Sequence, residues 1–226
     1  GDGCADYDDE DQDDDNDGAE DDFDSDDNNI YECSDNDFDG CEDCSSGYYN
    51  IDLDGADEDG DGQCDLGDVD LALSDNVNLI SFFALPETGE YEVSNIFGPL
   101  GENGIKIFGE SSVAFNFGGS WVGSLSEVSA DDGYWLIVGD ADNLEVQGTP
   151  TAPVVYTAHA GNNLFSYPYS YAQGFGDALD GTTADGNLLA VYGNGAMAAI
   201  DQNGDWGGSL NGFEGGLGYW LVASDA

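Results

Sequence analysis

Of the 50 acidic side chains in this chain, 32 lie within residues 1–75, where no Lys or Arg opposes them; Lys106 is the single basic residue of that kind. Carboxylates about 4 Å apart repel by roughly 1 to 4 kcal/mol per pair between the dielectric limits of water and a protein surface. A compact fold in the first third therefore requires neutralisation from outside the covalent chain. The apolar residues lie elsewhere. All four Trp and nearly every apolar run follow residue 76, and 40% of the whole is hydrophobic, enough to bury a core. Composition thus divides the chain near Asp75. A formal charge of −49 disfavours nucleic acid and anionic membranes as partners, because both are bound through Lys and Arg. No apolar run reaches the roughly 18 residues of a membrane helix, so no membrane insertion is expected.

The acids of residues 1–75 are spaced, not merely dense. Asp13, Asp15, Asp17, Gly18, Asp21 and Asp24 occupy positions 1, 3, 5, 6, 9 and 12 of a twelve-residue loop. In loops of the EF-hand type, carboxylates at 1, 3 and 5 converge on calcium, and glycine at 6 makes the sharp turn that presents the position-7 carbonyl, here Ala19. Asp57, Asp59, Asp61, Gly62, Asp65 and Asp68 repeat the register, with Gln63 at position 7. Asn50, Asp52, Asp54, Gly55, Glu58 and Asp61 fit it too, with Ala56 at position 7. Asp35, Asp37, Asp39, Gly40, Cys41 and Asp43 match through position 9, but position 12 is Ser46. A weaker loop runs through Asp24, Asp26, Asn28, Glu32 and Asp35, with Asn29 in place of the glycine. Shared end residues leave no room for flanking helices, so the expectation is a string of loops wrapped on several calcium ions. A solvated acidic tail is the alternative, but it does not account for glycine at position 6 in four of five loops. Magnesium suits the pattern less well, since it demands near-ideal octahedral geometry and keeps its waters.

The arrangement D-x-D-x-D-G-x-x-D-x-x-D, with interspersed cysteines, resembles the thrombospondin type 3 repeat and its Asp-rich relatives in large secreted bacterial proteins. The stretches CSDNDFDGCEDCSSGYYN and DEDGDGQCDLGD carry the likeness. It implies a calcium-stiffened spacer that holds other domains away from a cell. It also implies a period in which Cys33, Cys41, Cys44 and Cys64 form two disulfides, with Cys4 left from a preceding repeat. Four cysteines allow three pairings. A Cys41-x-x-Cys44 redox motif or a zinc ribbon would need contexts that are missing. Cysteine usage itself points to an oxidising, extracellular setting.

Beyond residue 76 the chain repeats itself. NLISF (78–82) corresponds to NLFSY (163–167), WVGSL (121–125) to WGGSL (206–210), and GYWLIV (133–138) to GYWLVA (218–223). The reading is a β module over 76–147, an extended linker over 148–159 and a second module over 160–226. Short apolar or alternating runs between Gly, Asn and Asp turns predict strands, including NLISFFAL, GIKIFG, SVAFNF, GYWLIV and NLEVQG. Short helices are expected within 91–99 and 171–180. The predicted fold class is mainly β: an irregular calcium-wrapped region followed by two homologous small sandwich-like or barrel-like modules. The module resembles ones at the ends of large secreted bacterial proteins. Trp121, Trp135, Trp206 and Trp220 are expected in the cores, where a Trp most often packs. No catalytic constellation is evident: His159 stands alone, Ser124 and Ser209 lack the G-x-S-x-G elbow, and no phosphate loop exists. The expected role is an extracellular structural protein of a cell-surface fibre or adhesin, possible self-association included, rather than an enzyme. The alternative is a glycan-binding module of a secreted polysaccharide-processing protein.

Overall fold

The computed structural model describes residues 12–52, 54–57, 62–86, 90–179 and 187–224. It forms two compact units, Gly1–Asp68 and Val69–Ala226.

The first unit is built from turns. Among the described residues its one helical element is a single 3-10 turn, Asp21–Phe23, because Asp and Asn side chains accept nearby backbone amides in place of a helix or ladder. Distant turns are tied by backbone hydrogen bonds, from Tyr49 N to Asp17 O, Asn50 N to Asp43 O and Cys64 N to Asp39 O. The apolar centre is small: Ala19, Cys33 and Cys44, with Tyr49 packed against them. Two disulfides, Cys33–Cys44 and Cys41–Cys64, supply the cross-links that such a core cannot.

The second unit is mainly β. In chain order its elements are β1 (Asp68–Leu73), β2 (Asn76–Ile80), β3 (Ala84–Leu85), α1 (Val93–Ile96), β4 (Gly104–Phe108), β5 (Val113–Phe117), β6 (Ser120–Gly123), β7 (Tyr134–Val138), β8 (Asp142–Gln147) and β9 (Thr149–Pro150). The repeat then gives β10 (Gly161–Phe165), β11 (Gln173–Gly174), α2 (Phe175–Ala178), β12 (Leu188–Tyr192), β13 (Met197–Ile200), β14 (Trp206–Gly208), β15 (Gly212–Phe213) and β16 (Tyr219–Ala223). Each module is organised around one open five-stranded antiparallel sheet, ordered β2-β7-β4-β5-β6 in the first and β10-β16-β12-β13-β14 in the second. Neither sheet closes into a barrel.

In the first module Ile107, Ala114, Tyr134, Leu136 and Val138 share a core with Val93, Ile96 and Phe97 around α1, and with Val69, Leu71, Leu73, Leu144 and Val146 from the β1–β8 ribbon. This ribbon carries residues 69–73, part of the acidic stretch by composition, into the second unit. The second core is smaller and more aromatic: Tyr167, Phe175, Val191, Ala198, Phe213 and Tyr219. The segment expected as a linker is docked. Its β9 pairs with β3, and the Tyr156 hydroxyl lies 3.0 Å from both the carbonyl and the hydroxyl of Ser166.

The modules join through matched contacts. Ser81 Oγ, fully buried, donates to Leu217 O (2.6 Å), and its amide donates to Gly216 O. The equivalent Ser166 Oγ donates to Ala130 O (2.5 Å), and its amide to Asp131 O. A Cβ at Gly133 would lie 2.7 Å from Phe165 O, and one at Gly218 2.5 Å from Ile80 O. Contacts that exchange between equivalent positions are the mark of a two-fold relation. They also cover one edge of β2, through the Ile80–Leu217 bridge.

Candidate metal centre

Three of the acidic loops share one local geometry. The position-6 glycines Gly18, Gly40 and Gly62 have φ of 103°, 90° and 90°, a region L side chains enter only at a cost. Each glycine amide donates to the position-1 carboxylate, Gly18 to Asp13, Gly40 to Asp35 and Gly62 to Asp57, at 3.1 to 3.2 Å. One residue on, Ala19 N and Cys41 N donate to Asp17 Oδ1 and Asp39 Oδ1, each at 2.8 Å. One oxygen of each position-5 carboxylate is thereby fixed, and in Asp17 the other is buried without a partner. Asn16 and Phe38, both at position 4, also have positive φ. The chain curls alike in the loops of 13 and 35.

The curl gathers carboxylates. Oxygens of Asp13, Asp15 and Asp17 lie within 4.8 Å of one another, as do those of Asp35, Asp37 and Asp39, and those of Asp37, Asp43 and Asp54. Such groups can hold a metal ion. Asp17 and Asp43 are fully buried and Asp54 nearly so, and each keeps one carboxylate oxygen without a hydrogen-bond partner. A buried unpaired anion is costly, and these oxygens are the ones a cation could take as ligands. Burial, reinforced by the neighbouring carboxylates and only partly offset by hydrogen bonds to the backbone, holds the carboxyls of Asp15, Asp24, Asp39 and Asp54 above their usual range. Asp24, at position 12 of the first loop, is close enough to raise Asp15. The Sγ atoms of Cys33, Cys44 and Cys41 border these groups, but all are committed to disulfides, which leaves an all-oxygen donor set.

Other expected ligands are placed differently. Gly55 does not have positive φ. A Cβ there would lie 1.7 Å from Cys41 Sγ and 2.7 Å from Cys64 Sγ, so this glycine keeps space for a disulfide. Of the loop from Asn50, whose Glu58 and Asp61 lie outside the described residues, Asn50 Oδ1 accepts the Asp52 amide, the Ala56 carbonyl accepts the Asp65 amide, and Asp54 groups with carboxylates of the preceding loop. In the weaker loop Asp26 and Glu32 join none of the carboxylate groups among the described residues; Glu32 instead takes the Asn29 side-chain amide. Asn28 sits in a turn and Asp21 accepts the Asp14 amide. Asp65 and Asp68 lie at the end of the unit, beyond Cys64 and Gln63. Glu58, Asp59, Asp61 and Cys4 lie outside the described residues. One residue sequence reasoning passed over is Glu42, whose Oε1 accepts the amides of both Cys33 and Ser34.

In the second unit the repeated motifs are occupied with structure. Ser124 Oγ accepts the Val113 amide and Ser209 Oγ the Met197 amide. The preceding Gly123 and Gly208 leave no room for a Cβ, which would lie 2.0 and 2.1 Å from Val113 O and Met197 O. G-S-L is therefore the latch of a β-hairpin. Asn78 and Asn163 bind the backbones of Ser74 and His159 in matching pairs. Tyr134 and Tyr219 accept the amides of Ser129 and Glu214, and burial raises both phenols, Tyr219 to about 12. The Trp residues divide. Trp121 packs on Phe97 and Trp206 on Phe175 at the core margins. Trp135 and Trp220 alternate with the buried Tyr134 and Tyr219 and so lie half-buried on the opposite sheet faces, outside the cores in which they were expected.

No protein-family model, curated protein or solved structure matches the chain.

Proposed function

We propose that the first unit is a calcium-stiffened, disulfide-stapled segment of an extracellular structural protein, comparable to the thrombospondin type 3 repeat that its spacing resembles. It would carry the paired β modules as part of a cell-surface fibre or adhesin. The observation that carries this reading is the recurrent cage: the same glycine turn, the same amide bonds and inward carboxylate oxygens left unpaired in burial. Several acidic oxygens around one point, without sulfur or imidazole, suit calcium, which takes six to eight oxygens in flexible geometry. The disulfides fit an oxidising compartment. Among the described residues no helix is long and apolar enough to cross a membrane. No catalytic step belongs to the proposal, because the recurring serines are engaged with backbone amides or carbonyls. The glycan-binding alternative rests on Trp135 and Trp220, which are half-buried outside the cores, because Trp121 and Trp206 pack at the core margins. Scattering size and circular dichroism, recorded with calcium and with excess chelator, test the reading. Ordering of the acidic segment by calcium and its reversal by chelator are expected; indifference to both would remove the basis of the proposal. Fibre formation belongs to the same reading, and sedimentation against concentration in calcium tests it, a constant monomer counting against it.

A further inference from the structure

We infer that the cage beginning at Asp35 is a two-loop site, in which Asp54 from the following segment supplies the carboxylate that the loop's own twelfth position lacks. The inference rests on the calcium reading above and makes it specific at one centre. Ser46, the twelfth residue, offers only a hydroxyl, and that hydroxyl donates to Tyr48 O. Asp54 instead lies within 4.8 Å of Asp37 and Asp43, and likewise of Asp39. It is 7% exposed, and its Oδ2 has no partner. Asp43, fully buried, has one oxygen fixed by the Ser34 hydroxyl (3.1 Å) and the Asn36 amide (3.0 Å), leaving Oδ1 unpartnered and directed at the same point.

The placement of Asp54 is enforced. Its carbonyl accepts the Ser45 hydroxyl, Asn50 N donates to Asp43 O, and the adjacent Gly55 lies under the Cys41–Cys64 disulfide. Two side chains far apart in sequence are thus held against one centre before any ion arrives. Asp35, Asp37 and Asp39 form one carboxylate group and Asp37, Asp43 and Asp54 another, joined through Asp37, and such an all-oxygen set suits the flexible coordination of calcium better than the near-ideal octahedron of magnesium. An ion there would tie residues 35–43 to residue 54, across the joint that Cys41–Cys64 also spans. By contrast, the loop from Asp13 to Asp24 carries its own terminal carboxylate.

The consequence is a reversal of sign. Without an ion, Asp54 adds a like charge to Asp37, Asp39 and Asp43; with an ion, it is a ligand. Asp54→Asn should therefore leave the chelated protein as stable as wild type or more so, and make the calcium-loaded protein less stable. Native mass spectrometry and calcium titration of the full chain should show one ion fewer, or one site weakened at least tenfold. Asp22→Asn, at an exposed residue outside every carboxylate group, should match wild type, and Asp13→Asn should remove a different ion, additively with Asp54→Asn. Calcium should also slow reduction of Cys41–Cys64 in wild type more than in Asp54→Asn. If Asp54→Asn keeps the wild-type ion count and affinity, the two-loop site is wrong and the calcium reading stands. If wild type binds no calcium, the underlying reading fails.

Discussion

Replacing Gly55 by alanine should break the acidic unit at one identifiable joint. The new Cβ would lie 1.7 Å from Cys41 Sγ, 2.7 Å from Cys64 Sγ and 3.0 Å from Cys41 Cβ, well inside van der Waals contact. The backbone at Gly55 is not in the left-handed region, so alanine meets no conformational penalty there and the effect is purely one of space. Either the disulfide fails to close or the segment carrying Asp54 moves away from it. Loss of a cross-link spanning 23 residues would cost about 3.4 kcal/mol on the chain-entropy model. Gly62→Ala is the informative contrast. Nothing lies within 4 Å of its new Cβ, but φ is +90°, so its cost should be backbone strain of about 1 to 2 kcal/mol with both disulfides intact. The assay is alkylation under denaturing conditions, counted by mass spectrometry, beside denaturant unfolding in calcium. Gly55→Ala should label two more thiols than wild type, or keep the bond and lose calcium affinity. Wild-type thiol count, stability and calcium binding together would refute the steric argument.

The second unit offers further tests. Ser81→Ala and Ser166→Ala each remove a buried hydroxyl that donates across the module junction, and each should cost about 0.5 to 1.5 kcal/mol in denaturant unfolding. The double variant should depart from additivity if the junction forms as one unit. Tyr134→Phe and Tyr219→Phe leave the amides of Ser129 and Glu214 without their acceptors, a loss of about 1 to 3 kcal/mol each by the same measurement. The pH dependence centres on His159 and Glu110. The Ala160 carbonyl and then Glu110 hold the imidazole above its usual value; burial opposes ionisation of Glu110, but His159 and the Leu164 amide outweigh it and lower its pKa. The pair's contribution should be fully present between the ordinary glutamate and ordinary histidine values. It should fade as pH falls through the lowered pKa of Glu110 or rises through that of His159. Unfolding of His159→Gln should lack the upper part of that dependence.

Much of this architecture was legible because two periodicities survive in the sequence. Strands such as GIKIFG and YWLIV lie where the runs of β-branched and aromatic residues place them, and the repeated motifs occupy equivalent positions in two sheets of one topology. DVDLAL was missed because its acids assigned it to the acidic region, although its burial alternates with period two from Val69 to Leu73. Gly18 and Gly40 do what the loop template requires, whereas Gly55 fits the template and serves another purpose. A sequence pattern does not distinguish a glycine needed for its φ from one needed for space. The role of Asp54 was foreshadowed only by the gap at Ser46, and identifying the substitute needed the fold of the segment around Cys64. The bonding of Ser81 and Ser166 was similarly hidden, because their partners are backbone carbonyls 136 and 36 residues away, respectively.

The central claim is that the carboxylate groups of residues 13–54 are calcium cages. Its most direct test is direct calcium binding, by equilibrium dialysis or native mass spectrometry, at about 0.15 M salt so that loosely associated counter-ions are screened. The account predicts more than one saturable ion per chain, retained against competing magnesium and released by chelator with loss of order in the acidic unit. Absence of saturable binding, or displacement by magnesium at comparable concentration, would contradict it.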